Sequence, residues 1–268
     1  MKGKVVLITG STDGLGREVA TRVGALGAHV IVHGRNRERG QAVVQEITNN
    51  GRGSARFYAA DLASLAAVRQ LADAILRDYD RLDLLVNNAG IWLSSGGRQV
   101  SADGHEMHFA VNYLSGFLLT HLLLPRLVES APSRIVNVAS GAQAAIDFDD
   151  VMLTRPGRAG QGYAQSKLAQ VMFTFDLARE LEGREVTVVA LHPATMMDTT
   201  MVRKSGMRAQ STVDEGATAV MNLITAPGIR SGQYFDGLRA ARAHAQAYDE
   251  EARGRLRAMS AELTRAAR

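Results

Sequence analysis

Six short runs rich in Val, Ile and Leu punctuate the chain, and a longer stretch of helical periodicity separates each from the next. The strand candidates are Lys4–Thr9, Ala28–His33, Ser54–Ala59, Asp83–Asn87, Arg134–Ala139 and Val186–Leu191. The helical patterns between them are Leu15–Leu26, Asn36–Asn50, Ser64–Tyr79, His105–Val128 and Tyr163–Leu181. Most of the runs are nearly continuous in apolar residues, as strands covered on both faces should be; Ser54–Ala59 is the exception. Strand, helix, strand, repeated, implies right-handed crossovers and a parallel sheet. The chain therefore reads as α/β, with one doubly wound parallel sheet of about seven strands and helices on both faces. A last strand near Gln233-Tyr234-Phe235 and an Arg-rich helical tail over about 239–265 complete the pattern.

Composition removes several alternatives. The 268 residues contain no cysteine, which excludes disulfides, Cys-ligated zinc and a thiol nucleophile. Apolar residues make up 46%, too many for a disordered chain. The net charge is 31 − 27 = +4, and residues 239–268 hold seven Arg against four acids. The rest of the chain is close to neutral, so no basic groove for nucleic acid is expected. The first apolar run ends at Thr9-Gly10, too short for a signal-peptide core. Leu114–Pro125 falls short of the roughly 20 residues of a membrane span. The expectation is a soluble, cytoplasmic protein.

The first strand runs into Thr9-Gly10-Ser11-Thr12-Asp13-Gly14-Leu15-Gly16, and a helix follows. Small residues at 10, 14 and 16 let the backbone turn tightly and approach a pyrophosphate, which the helix N-terminus then attracts. This is a Rossmann-type arrangement with G-x-x-x-G-x-G spacing. The second strand ends in His33-Gly34-Arg35-Asn36, with no Asp or Glu from 28 to 37. An acid there pairs with ribose hydroxyls, whereas an arginine suits a 2′-phosphate. Arg35, with Arg37 beside it, points to NADP(H).

The glycine spacing and a series of later motifs resemble the short-chain dehydrogenase/reductase family over roughly residues 3–238. Asp61-Leu62 follows strand three, where the family holds adenine. Asn87-Asn88-Ala89-Gly90 closes strand four, Asn112 lies in the next helix and Ser140 ends strand five. Tyr163-Ala164-Gln165-Ser166-Lys167 matches Y-x-x-x-K, and Pro193 follows strand six. The resemblance implies a dinucleotide-binding oxidoreductase domain over 1–238, with 239–268 as a helical extension. It implies Asn112, Ser140, Tyr163 and Lys167 as the catalytic set. The implied cofactor contacts are Gly10, Ser11, Thr12, Gly14, Leu15, Gly16, Arg35, Asn36, Asp61, Leu62, Asn88, Ala89, Gly90, Tyr163, Lys167, Pro193, Thr195 and Met196. Hydride addition to a carbonyl leaves an alkoxide that needs a proton. A phenol one turn from an ammonium is expected to supply it, because the positive charge lowers the phenol pKa. Ser140 would orient the substrate oxygen, and Asn112 would hold a water linking Lys167 to solvent. The family also implies a homodimer or homotetramer, paired through the Tyr163–Leu181 helix.

Two departures stand out. Ser140 and Tyr163 lie 23 positions apart, farther than in many family members, and the extra residues include Ile146-Asp147-Phe148-Asp149-Asp150. With Tyr-x-Gln-Ser-Lys-Leu-Ala at 163–169, this resembles the retinol-dehydrogenase-like branch. Pro193-Ala194 stands where the family usually has Pro-Gly, and its later Thr is matched only by Thr195 or Thr199. The acidic insertion reads as a solvated loop and His105-Glu106-Met107-His108 as polar side chains on the surface, so no metal site is expected. Segments 91–97, 141–162 and 195–209 lie beyond the strand ends. Their Trp92, Leu93, Ile146, Phe148, Met152, Met196, Met197 and Met201 form an apolar set. A small lipophilic carbonyl or alcohol is the expected substrate, under a lid at 195–209. The main alternative is a catalytically silent NADP(H)-binding sensor or scaffold. A partner-binding protein acting through the Arg-rich tail is a third.

Overall fold

The computed structural model describes residues 1–93 and 97–265; residues 94–96 of the expected pocket segment, and 266–268 of the tail, lie outside the described residues. The strands are β1 Val5–Ile8, β2 His29–Gly34, β3 Ser54–Ala59, β4 Leu84–Asn87, β5 Ser133–Val138, β6 Val186–His192, β7 Gln233–Asp236 and β8 Arg239–Ala241. They form one sheet in the order β3-β2-β1-β4-β5-β6-β7-β8. All neighbours are parallel except the last pair, β7 and β8. Chain order reverses beside β1, so the crevice between the carboxyl ends of β1 and β4 is the topological switch point where such sheets bind ligands.

The helices are α1 Gly14–Ala25, α2 Arg37–Asn49, α3 Leu65–Asp78, α4 Ser115–Glu129, α5 Gly162–Glu180, α6 Thr200–Lys204, α7 Val213–Thr225 and α8 Glu250–Arg265. Their starts follow capping chemistry. Asp13, Asn36, Ser64, Thr199 and Thr212 each accept a first-turn N–H, and Thr212 with Glu215 forms a reciprocal capping box. Strand residues alternate between two cores. Leu7, Ile31, Leu85, Ile135 and Val188 pack with α3, α4, α5 and α8, while Val6, Val30, Val86, Val136 and Val189 pack with α1, α2 and α7. This two-sided burial explains the continuous apolar runs. β3 reads differently because it is an edge strand, and Gly40 of α2 packs on its Phe57 ring with no room for a β-carbon.

Three features depart from expectation. A π-helical turn, Phe109–Leu114, leads into α4 and makes a continuous helix of 21 residues. That helix is long and apolar enough to cross a membrane by length and composition, yet Phe109, Tyr113, Leu119 and Leu123 are buried in the core of this fold. The tail is not helical throughout. It first adds β8, three exposed residues with no strand pattern, which exist as a strand only because β7 offers an open edge. Nor is α8 a free basic extension. It lies on α5, where Arg253 and Arg257 clamp Asp176 at 2.8 and 2.6 Å, Leu256 is buried, and Tyr113 hydrogen-bonds Ser260. Arg255 sits over the Phe148 ring and Arg242 over Tyr248. The charge surplus of the tail is thus largely spent inside the molecule. The α5 helix, through which the resemblance implies pairing of copies, is covered on one side by the chain's own C-terminal helix.

Leu256→Ala should therefore destabilise the protein by about 2–4 kcal/mol, as core truncations do. Urea unfolding measures this; a loss under ~0.5 kcal/mol would mean that α8 is a peripheral appendage.

Candidate active site

The glycine loop is braced from behind. The Thr9 hydroxyl accepts the N–H groups of Asn88 and Ala89, both at 3.0 Å, and the Asn88 amide donates to the Thr9 and Gly10 carbonyls at 2.8 and 3.3 Å. A β-carbon on Gly16 would overlap the Gly10 carbonyl and the Asn88 amide; one on Gly10 would come within 2.9 Å of the Ala89 backbone. Gly10 and Gly14 also sit at φ +65° and +50°, in the left-handed region. Ser11 is buried, its hydroxyl donating to the Ile8 carbonyl and accepting the His33 N–H. Asn88 and Ser11 are thus supports of the loop, with their side chains already committed. Asn36 is likewise committed as the cap of α2, and Leu62 belongs to the core. Asp61 is exposed and accepts the Ala63 N–H.

Two groups escaped the sequence reading. Asp13 accepts the Gly14 N–H at 2.8 Å, so that donor is not free for an anion. The Leu15 and Gly16 N–H groups, in the first turn of α1, have no carbonyl of their own helix to bond. His33 is buried behind the loop, and its Nδ1 accepts the Gly10 N–H at 3.1 Å. Burial pushes this imidazole down to about 4, which keeps it neutral and able to accept. A polar residue inside a strand buried on both faces was the available signal. Arg35 and Arg37 are exposed at the end of β2 and have no ion-pair partner among the described residues. Gly34 beside them lets the Thr12 side chain pack where a β-carbon would stand. The tight glycine turn, its open helix start and the unpaired guanidinium groups fit a phosphorylated dinucleotide.

The second cluster lies at the ends of β4, β5 and α5. Lys167 is buried, and its Nζ donates to the Val138 carbonyl and to Gln170 Oε1, both at 2.9 Å. Burial lowers this ammonium to about 7. Nζ lies 5.7 Å from the centre of the Tyr163 ring. Burial raises the Tyr163 phenol, and hydrogen bonding to Ser140 opposes that rise. The scaffold alone thus does not depress the phenol as expected from the Tyr–Lys spacing, because desolvation penalises both charges. Asn112 lies in the π-helical turn, an irregularity common at functional sites. Its amide accepts the Ile91 N–H at 2.7 Å and donates to the Ile91 carbonyl and the Ser166 hydroxyl. That side chain braces the turn after Gly90, where a β-carbon would come within 3.4 Å of Asn112 Oδ1 and 3.5 Å of Lys167 Nζ.

The remaining predicted residues separate. Pro193 is buried, and the Thr195 hydroxyl meets His192 Nε2 at 3.0 Å. Thr199 caps α6 and packs toward Gly14, 3.1 Å from the position of a β-carbon there. Met196 holds φ +47°, a conformation that costs a non-glycine residue roughly 1–3 kcal/mol. Its carbonyl accepts the Gln210 N–H, and Asp198 N–H bonds Ser211, so the base of the 195–209 segment is closed. Trp92 stands 5.9 Å from the Tyr163 ring, but Ile146 is a core residue and Phe148 packs under Arg255, so neither is an open pocket wall. The insertion is not simply solvated. Asp150 is buried and accepts from the Thr154 hydroxyl and the Thr154 and Arg155 N–H groups, which hold its carboxyl at about 2. No cluster of three metal-binding side chains occurs among the described residues. Glu106 and His108, expected on the surface, are buried and paired at 2.8 Å.

Known proteins share this architecture and its motifs. A family described as "short chain dehydrogenase" matches residues 4–210. Retinol dehydrogenase 13 of Homo sapiens is 38% identical over 284 residues, covering 97% of this chain and 84% of that protein. Retinol dehydrogenase 11 of Homo sapiens is 37% identical, covering 98% and 86%. A short chain dehydrogenase from Burkholderia cenocepacia J2315 in complex with NADP superposes with a TM-score of 0.70 at 31% identity, covering 88% of this chain and 96% of that one.

The buried lysine has a measurable signature. Its folded pKa lies below its free value of 10.5, so its burial cost is full below about pH 7 and is relieved as pH rises toward 10.5. In thermal unfolding without ligands, the parent should therefore gain stability relative to Lys167→Met between pH 7 and pH 10. A difference that stays flat, or changes the other way, would place the Lys167 ammonium in a solvated setting.

Proposed function

The chain belongs to the short-chain dehydrogenase/reductase family, in its retinol-dehydrogenase-like branch, and is an alcohol/carbonyl oxidoreductase; from that premise we propose that it uses NADP(H), with Tyr163 as general acid/base, on a lipophilic aldehyde or ketone and its alcohol. The observation that carries this reading is the meeting of Ser140, Tyr163 and Lys167 beside the glycine loop at the sheet switch point.

Leu15 and Gly16 N–H groups would bind the pyrophosphate, Arg35 and Arg37 the 2′-phosphate, and Asp61 the adenine side. The Gly90 turn and Lys167 would receive the nicotinamide riboside. When bound, the cofactor would supply the hydride chemistry. Ser140 and Tyr163 would bind the substrate oxygen, and the phenol O–H delivers the proton as the alkoxide forms. Lys167 Nζ, 5.7 Å from the Tyr163 ring centre, would support the phenol's anion electrostatically. Trp92, Leu93 and the half-buried Met152, Met196 and Met201 offer an apolar, adaptable surface to the rest of the substrate. The relatives named for retinol, an apolar alcohol, support a lipophilic substrate.

Arg35→Asp should reverse or erase a preference for NADPH over NADH in kcat/KM; equal kcat/KM for the two cofactors in the parent would refute the assignment. Tyr163→Phe should keep NADPH binding and lose about 10²–10⁴ in turnover, the usual loss of general acid–base catalysis. A variant that keeps more than roughly a tenth of the parent rate would remove Tyr163 from the chemistry.

A further inference from the structure

Glu106 and His108 have side chains only 3% and 5% exposed, and the mechanism above gives them no task. Burying two ionisable groups costs several kcal/mol unless every polar atom finds a partner. Here each does. Glu106 Oε1 lies 2.8 Å from His108 Nδ1, Glu106 Oε2 accepts the Phe109 N–H at 2.8 Å, and His108 Nε2 accepts the Leu93 N–H at 3.0 Å. A backbone N–H can only donate, so Nε2 carries no proton and the neutral ring holds its proton on Nδ1, aimed at the carboxylate. Glu106 must then accept on both oxygens.

The pair adjoins the chemistry on two sides. Gly162, the first residue of α5, lies so close that a β-carbon there would stand 2.8 Å from both Glu106 Oε1 and His108 Nδ1. The next residue is Tyr163, whose ring meets the His108 ring edge-on at 6.3 Å and 86°. Trp92 packs against Tyr163 at 5.9 Å and immediately precedes Leu93, whose N–H His108 holds. One imidazole therefore orients the phenol ring and anchors the backbone that carries the apolar wall beside it.

We propose that Glu106 and His108 are positioning residues that set the Tyr163 ring against the Trp92–Leu93 wall and so govern how a bulky carbonyl is presented to the phenol. This inference rests on the reading of Tyr163 as the acid/base. A misplacement of about 1 Å costs on the order of 10²-fold in rate. His108→Ala should thus lower kcat/KM for the best apolar carbonyl about 10- to 100-fold while the NADPH Kd stays within about twofold. His108→Gln, which offers an N–H to Glu106 and an oxygen to Leu93, should recover most of the loss. Glu106→Gln replaces one acceptor by a donor and should resemble His108→Ala.

Two readouts do not depend on turnover. Amide exchange of Leu93 should quicken at least about tenfold in His108→Ala and stay near the parent in His108→Gln. The Tyr163 ring resonances, assigned by comparison with Tyr163→Phe, should shift in Glu106→Gln, which leaves the imidazole ring in place and alters only the partner that orients it. Activity of His108→Ala within twofold of the parent overturns the proposal, as does unchanged Leu93 exchange. A parallel loss of NADPH affinity and melting temperature overturns it too, since that marks general loosening. If the parent reduces no carbonyl with NADPH, the functional reading fails, while exchange and ring shifts still decide whether the pair positions Tyr163 and Leu93.

Discussion

The Asn88 side chain bridges the end of β4 to the carbonyls of Thr9 and Gly10, and the Thr9 hydroxyl accepts the Asn88 and Ala89 N–H groups just past β4. The glycine loop and the turn after β4 are registered to each other by this clamp. It holds the glycine loop at the height where α1 begins, and it sets the Ala89-Gly90 turn that leads to Asn112 and Lys167. The clamp works because the surrounding strands are apolar on both faces, so its polar atoms bond each other in a low-dielectric setting where leaving them unpaired is costly.

The same logic extends deeper. Asn87 donates to Thr120 and Asn137, Asn137 donates to Thr174, and the Thr174 hydroxyl donates to the Gln170 carbonyl. Gln170 in turn accepts from Lys167. A buried polar chain therefore joins the β4 terminus to the ammonium. Its consequence is electrostatic. Lys167 is held by two hydrogen bonds but poorly solvated, and burial lowers its ammonium to about 7.

The C-terminal helix shows how local chemistry yields to packing. By composition it is a basic tail, yet Asp176 of α5 takes two of its arginines and Asp149 of the insertion faces a third at 3.9 Å. The insertion and α8 thus contact each other across one side of the molecule.

Much of this protein is legible in its sequence for a physical reason: alternation, glycine spacing and i, i+4 pairing are local constraints that residue type alone imposes. The parallel strands, the helices between them and the tight glycine turn follow from them, while Ser140, Tyr163 and Lys167 stand out through the family resemblance. What depends on distant partners does not. Glu106 and His108 look like exposed polar side chains until Gly162 and Leu93 fold over them. Asp150 looks solvated until Thr154 and Arg155 turn back onto it. Arg-Ala-Ala at 239–241 becomes a strand only beside β7, and Ser11, Asn36 and Asn88 prove to be supports only once their hydrogen-bond partners are in place. Residue type and spacing determined which groups the site contains; tertiary structure decided which of them are free to act, because burial and hydrogen-bond satisfaction are properties of neighbours far apart in the chain.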